Sequence, residues 1–273
     1  MKTLPNHTLL YDEECPMCNL YTVGFIKASM LDNQGRKPFV NITTEEAKYI
    51  DIQRAKNEIA LVDTQNKRVY YGIESLLKVI GNSFPWMEKI GNWKPINYFL
   101  KKLYKFISYN RKVILPSRTK VSDQITCIPD FNTKYRSFYI AFATIFTALV
   151  LFQYAELIVF LPKATFVREI LLAVGQIGFQ YVFIQKLDKQ KQLNYIGNLV
   201  TVSIIGSLLL LPILILSSYL NLNYHIIIGW FGITVNFVIY EHYRRISILE
   251  LPKYLTITWI LYRILALVII LYF

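Results

Sequence analysis

The stretch "LLYDEECPMCNLY", residues 9–21, sets two cysteines three positions apart behind a short apolar run and an acidic triplet. Its surroundings decide whether Cys15 and Cys18 trade electrons, hold a metal or fill space. "TLLY" (8–11) has the length and composition of a short buried strand. "PMCNLYTVGFIKASM" (16–30) reads as a helix with Met17, Leu20, Tyr21, Gly24, Ile26 and Ala28 near one face. Gly35 and Pro38 mark a loop, and "PFVNI" (38–42) predicts a second strand. "EIALVDTQNKRVYYG" (58–72) places two apolar runs around "TQNK", a hairpin signal. "IESLLKVIG" (73–81) predicts a helix closed by Gly81.

The resulting order, β-α-β-(α)-β-β-α, is that of an α/β thioredoxin-like core, with the CxxC following the first strand and opening the first helix. There, orphan backbone N–H groups and the helix dipole favour a thiolate at Cys15. Pro16 lacks an N–H and presets the first turn. Cys18, one turn in and more buried, is placed to attack a mixed disulfide on Cys15. Asp12, Glu13 and Glu14 act against the thiolate and are expected to raise the pKa of Cys15, giving a reducing rather than oxidising dithiol. Asp12 ends the strand and is a candidate for moving a proton or for capping a turn. A closed zinc site needs four ligands or three plus water. The remaining candidates are Cys127, His7, His225 and His242, the last two in the fourth apolar run far from the head, so by ligand count no closed zinc site within one chain is expected. Soft monovalent copper, which needs only two thiolates, is the metal alternative.

Composition separates this head from the rest of the chain. The chain has 273 residues, 54% of them hydrophobic, and a positive mean hydropathy. Residues 1–85 carry ten basic and ten acidic groups, residues 86–136 eleven and three, and residues 137–273 nine and five. The positive excess thus sits in one middle segment, which argues against a chain that coats nucleic acid. Three cysteines are too few for a disulfide scaffold, and no secretory leader is expected from the N-terminus. Apolar runs at 137–161, 167–184, 195–218, 224–240 and 254–273 predict an all-α bundle of about five transmembrane helices, the second being the weakest. Lysines and arginines cluster on alternate connections, at Lys134 and Arg136, at Lys186, Lys189 and Lys191, and at Arg244, Arg245 and Lys253. The positive-inside rule then places the N-terminal head in the cytoplasm and the C-terminus outside.

Between head and spans, "WKPINYFLKKLYKFISYNRKVIL" (93–115) predicts an amphipathic helix. Ile96, Phe99, Leu100, Leu103, Phe106 and Ile107 share one face, while Lys101, Lys102, Lys105, Arg111 and Lys112 lie largely elsewhere. Such a helix either packs its apolar stripe on the head or lies near anionic lipid head groups. Within the spans, Glu156 and Arg263 are costly in lipid and differ little in depth, so a pairing is expected. Gln153, Gln176, Gln180, Asn198 and Asn236 are candidates for interhelical hydrogen bonds. "IYEHYRR" (239–245) reads as a solvated basic anchor. No cysteine follows Cys127, so thiol exchange does not cross the bilayer within this chain.

At "YDEECPMCN" the chain resembles the DCC family of thiol-disulfide oxidoreductase-like proteins, named for an Asp and two Cys in a YDxxCxxC motif. "VYYGIESLLKVI" and "YKFISYNRKVI" are similar to later family segments, extending the resemblance over roughly residues 8–115. Glu13 stands where a small Gly is usual, and residues 39–84 hold no proline to face the CxxC. The resemblance implies a thioredoxin-like fold and a dithiol/disulfide activity carried by Asp12, Cys15 and Cys18. Together these readings predict a domain over 1–112, a juxtamembrane linker over 113–136 and a transmembrane helical domain over 137–273. The expected function is membrane-anchored disulfide reduction at the cytoplasmic face, without a cofactor and without nucleic acid. The expected partners are the lipid bilayer, a thiol or disulfide substrate and a redox partner. A non-catalytic membrane scaffold with a binding head, or a copper-handling membrane protein, is the alternative.

Overall fold

The computed structural model describes residues 2–117 and 131–272, and the chain divides into two units, Met1–Asn132 and Thr133–Phe273. Cys127 lies outside the described residues. The first unit opens with β1 (His7–Tyr11), α1 (Pro16–Lys27), β2 (Arg36–Pro38) and α2 (Ile52–Asn57). The hairpin β3 (Ala60–Asp63) and β4 (Arg68–Tyr71) comes next, then α3 (Ile73–Ser83), α4 (Pro85–Asn92) and α5 (Lys94–Ile114). The sheet order is β2-β1-β3-β4, with β1 and β2 parallel and the other neighbours antiparallel. That is the thioredoxin-like arrangement, and it puts the end of β1, and so the CxxC, in the middle of the sheet.

Alternation along β1 explains the two-sided core. Leu9 enters one layer with Leu31, Leu61 and Val79, on which Tyr21, Phe25 and Tyr104 also pack. Leu10 points the other way, into Phe39, Ile50, Val62 and Tyr71. The register pairs Leu9 with Leu61 and Leu10 with Ala60, so β3 is buried along its whole length.

Several details differ from the pattern. The second strand covers only 36–38, and Phe39 is buried on a short 3-10 turn instead. In α1 the face turned inward is Cys18, Tyr21, Thr22 and Phe25, while Leu20 and Gly24 look outward. The helix ends at Lys27, and Ser29 takes a positive φ of 53°. Helix α3 runs through Gly81 to Ser83 because that glycine admits Glu88 of α4 rather than stopping the helix. The helix starts instead after Gly72, whose φ of 59° favours a residue without Cβ.

The largest difference is α5. Its face towards the head is Tyr104, Ser108 and Arg111, not the apolar stripe. Tyr104 Oη accepts the Ile59 N–H at 2.8 Å, Ser108 Oγ donates to the Asn57 carbonyl at 3.2 Å, and Lys101 pairs with Glu74 at 2.8 Å. Phe99, Leu103 and Ile107 are left exposed.

The second unit is all helical: α6 (Thr133–Ala155), α7 (Phe166–Ile184), α8 (Lys189–Ser217), α9 (Tyr224–Ile248) and α10 (Tyr254–Tyr272). Four of these, α6, α7, α8 and α10, are long and apolar enough to cross a membrane. The helix that falls short is α9 rather than the shorter α7, because Asn236, Glu241 and two arginines dilute its apolar run. Polar side chains join the helices. Tyr139 meets Thr201 at 2.8 Å, Tyr195 donates to Gln180 at 2.7 Å, and Trp230 donates to the Leu209 carbonyl at 2.7 Å. That last carbonyl lies within a turn of Pro212, which loosens the α8 ladder by removing an N–H. Asn236 bonds within its own helix to Gly232, and Gln153 is exposed.

Two expectations fail in this unit. Glu156 lies just past the end of α6 and is exposed, whereas Arg263 stacks over Trp259 at 5.3 Å, so the two do not pair. The "IYEHYRR" segment is not a solvated anchor: Glu241, His242 and Arg245 are buried. Arg245 Nε donates to Glu241 at 2.8 Å and its Nη1 to Asn198 at 2.9 Å, tying α9 to α8.

Candidate active site

The site is built from the end of β1, the start of α1 and the last turns of α5. Cys15 is the N-cap of α1: its φ and ψ of −93° and 106° are extended, and its Sγ accepts the Cys18 N–H at 3.3 Å. A sulfur thereby fills the place that a Ser or Asp oxygen takes at other helix starts. Pro16 occupies N1, where its missing N–H leaves no unmet donor. The two thiols are free and buried, one turn apart at the helix start.

Asp12 shapes the turn beneath them. Its Oδ1 accepts the Glu14 N–H at 3.0 Å and its carbonyl accepts the Cys15 N–H at 3.2 Å. Farther along, the Ser117 hydroxyl donates to the Glu14 carbonyl at 2.8 Å, pinning the same turn from the far end of α5.

By its sequence position Arg111 belongs to a basic, solvated face. It is buried instead, with Nη1 3.5 Å from Cys18 Sγ and Nη2 3.8 Å from Asp12 Oδ2. The guanidinium thus stands between a carboxylate and a thiol. The signal for it is the spacing of Tyr104, Ser108 and Arg111, which share one side of α5, together with the "YNR" of the family-like segment.

These contacts set the electrostatics. The Cys18 thiol is brought down to about 7 by the hydrogen bond from Cys15, with Arg111 and the Tyr21 hydroxyl adding to it against burial. Cys15 is pushed up, chiefly because it is the donor in that bond and then because it is buried. The first proton therefore leaves the pair easily and the second with difficulty. The expected rise at Cys15 is present, but its cause is the partner thiol rather than the acidic triplet. Asp12 is raised by burial, with Arg111 opposing. Tyr21 is held well above its usual range by burial and by the neighbouring Cys18.

Asp12, Cys15 and Cys18 are thus brought together, and Arg111, Tyr21 and Tyr104 complete the surroundings. Among the described residues, no group of three His, Cys, Asp or Glu side chains is placed to hold a metal ion.

A mixed four-stranded sheet with paired thiols at the N-terminus of its first helix is an arrangement suited to thiol–disulfide exchange. Residues 9–117 match the family model described as DCC1-like thiol-disulfide oxidoreductase. No curated protein and no solved structure matches the chain. The matched segment is followed in the chain by four helices long and apolar enough to cross a membrane.

Proposed function

We propose that the protein is a membrane-anchored dithiol reductase working at the cytoplasmic face, with Cys15 as the attacking thiol and Cys18 as the resolving one. The observation that carries this reading is the thiol pair at the α1 N-terminus, Cys15 Sγ capping the helix and Arg111 set against Cys18. In the first step Cys15 Sγ attacks one sulfur of a substrate disulfide. The proton it held passes to Cys18, a Cys15–substrate disulfide forms, and the other substrate half leaves as thiolate. Cys18 then loses its proton and attacks Cys15 Sγ. A Cys15–Cys18 disulfide forms and the second substrate half leaves reduced, so two electrons have passed to substrate. A dithiol of another protein or a small thiol returns the pair to its reduced state.

Arg111 supports the second step most directly, because it faces the sulfur that must become anionic there. Asp12 acts as a positioning residue for the turn and as the second anion on Arg111. A thiol brought near neutral pH is matched to exchange at cellular pH, and reduced dithiols prevail in the cytosol. Outward-facing Pro16 and Leu20 flank the pair on α1 and offer an apolar edge for a substrate chain.

A trapping experiment in intact membranes tests the roles. Cys18→Ser is expected to accumulate mixed disulfides through Cys15, and Cys15→Ser to accumulate none. The reverse pattern exchanges the two roles. Absence of adducts from both variants, with no reduction of a model disulfide by the wild type, replaces the enzyme with a binding head.

A further inference from the structure

Among the described residues, nothing covers an apolar surface on helices α4 and α5. Trp86 and Ile90 lie on one side of α4, and Trp93 forms the N-cap of α5. Phe99, Leu103 and Ile107 continue along α5 at helical spacing. All six are exposed, Trp93 and Phe99 each 62 %. In a soluble domain such residues would be the ones to bury; here α5 instead gives its polar stripe to the head.

Charge identifies the occupant. Lys89, Lys94, Lys102 and Lys105 are exposed on the same two helices, whereas Lys101 is engaged by Glu74 of the head. Residues 84–117 carry seven basic side chains against the single acid Glu88. Protein–protein contacts are depleted in lysine at their cores. A lysine-rich helix with Trp, Phe and Leu on another side is the composition of helices that lie in a bilayer interface. Tryptophan is enriched at that depth as well. In sequence, the first membrane-capable helix starts only sixteen residues after Ser117, so the surface is presented to lipid as a tethered and not a free ligand.

We propose that the exposed face of α4 and α5 rests on the anionic surface of the bilayer that the protein's own helices enter. Trp86, Trp93, Phe99 and Leu103 insert among the head groups, and the lysines meet the lipid phosphates. The redox chemistry is not required for this contact, so the two readings stand or fall separately.

The test uses the full chain reconstituted in phosphatidylcholine vesicles with and without phosphatidylglycerol. A photoreactive side chain is introduced as Phe99→p-benzoylphenylalanine, with Gln65→p-benzoylphenylalanine in the β3–β4 turn as the control. The expected result is a lipid adduct at position 99, none at position 65, and a higher yield when phosphatidylglycerol is present. Raising the salt on the unchanged protein, or combining Lys94→Glu, Lys102→Glu and Lys105→Glu, is expected to lower the yield roughly fivefold or more. Crosslinks from position 99 to a second copy or to residues of the C-terminal unit overturn the proposal. So does the absence of any adduct, or a lipid adduct whose yield ignores phosphatidylglycerol, salt and the lysines.

Discussion

Arg111 sits where two anions can compete for it. Against Cys18 it favours the thiolate, and against Asp12 it holds a carboxylate that burial would otherwise protonate. The consequence is measurable as the pH dependence of thiol alkylation in a Cys127→Ser background. The rate should rise through a midpoint near pH 7, the value to which Cys18 is lowered, and level off above it. Arg111→Met removes the positive neighbour and should move that midpoint up by about one to two pH units. Asp12→Asn keeps an oxygen for the Glu14 N–H but removes the negative neighbour, so the midpoint should move down by a fraction of a unit. The opposite signs separate electrostatics from simple misfolding, since damage to the turn would shift both variants alike.

The acidic triplet was legible as charge, but not as geometry. Glu13 is exposed and Glu14 half-buried, and only Asp12 approaches the pair. Asp12 stands out in the sequence as the acid that ends the strand, and the turn after β1 brings its carboxylate inward. Cys15 and Cys18 needed no such turn, because the i, i+3 spacing at a helix start already brings both sulfurs to one side.

Helix α4 packs on α3 through small residues rather than an apolar ridge. A Cβ on Gly91 would lie 2.5 Å from Leu77 Cδ2, and Leu77 is buried. Gly91→Ala should therefore cost about 1–3 kcal/mol, read as a lower thermal midpoint of the solubilised protein. Gly72→Ala should cost a similar ~1–3 kcal/mol for a different reason, since its φ of 59° is strained for any residue with a Cβ. Helix α5 carries the clearest lesson about amphipathic patterns. Its apolar stripe is real, yet Tyr104, Ser108 and Arg111 bind the head through specific polar contacts. Periodicity reports that a stripe exists; it does not report which neighbour the stripe faces. The strand alternation of β1 was more readable, because a sheet with helices on both sides buries both Leu9 and Leu10.

On the scale of the whole chain, a redox-type head is joined to helices held together by buried polar groups. Arg245 is enclosed with Glu241 and Asn198, and such a charge loses its compensation when one partner is removed. Glu241→Gln should lower stability by about 3–5 kcal/mol, whereas half-exposed Arg244→Met should cost less than about 1 kcal/mol. Thermal midpoints of the detergent-solubilised full chain check the ordering. The proposed cytoplasmic head is checked by Gln65→Cys in a chain otherwise freed of cysteine. An impermeant maleimide should label it only after the cells are opened, and labelling of intact cells would reverse the topology.

The order of strands and helices, the place of the CxxC and the presence of membrane-capable helices were all determined by the sequence itself. Each rests on local repeats: alternation over a few residues, turn residues between them, or about twenty apolar residues in a row. The tertiary structure alone decided that Arg111 meets Cys18 across 93 positions, that it also approaches Asp12, and that α5 leaves Phe99, Leu103 and Ile107 outward. Those outcomes depend on which surfaces meet when distant segments pack, and no local pattern encodes the partner of a face.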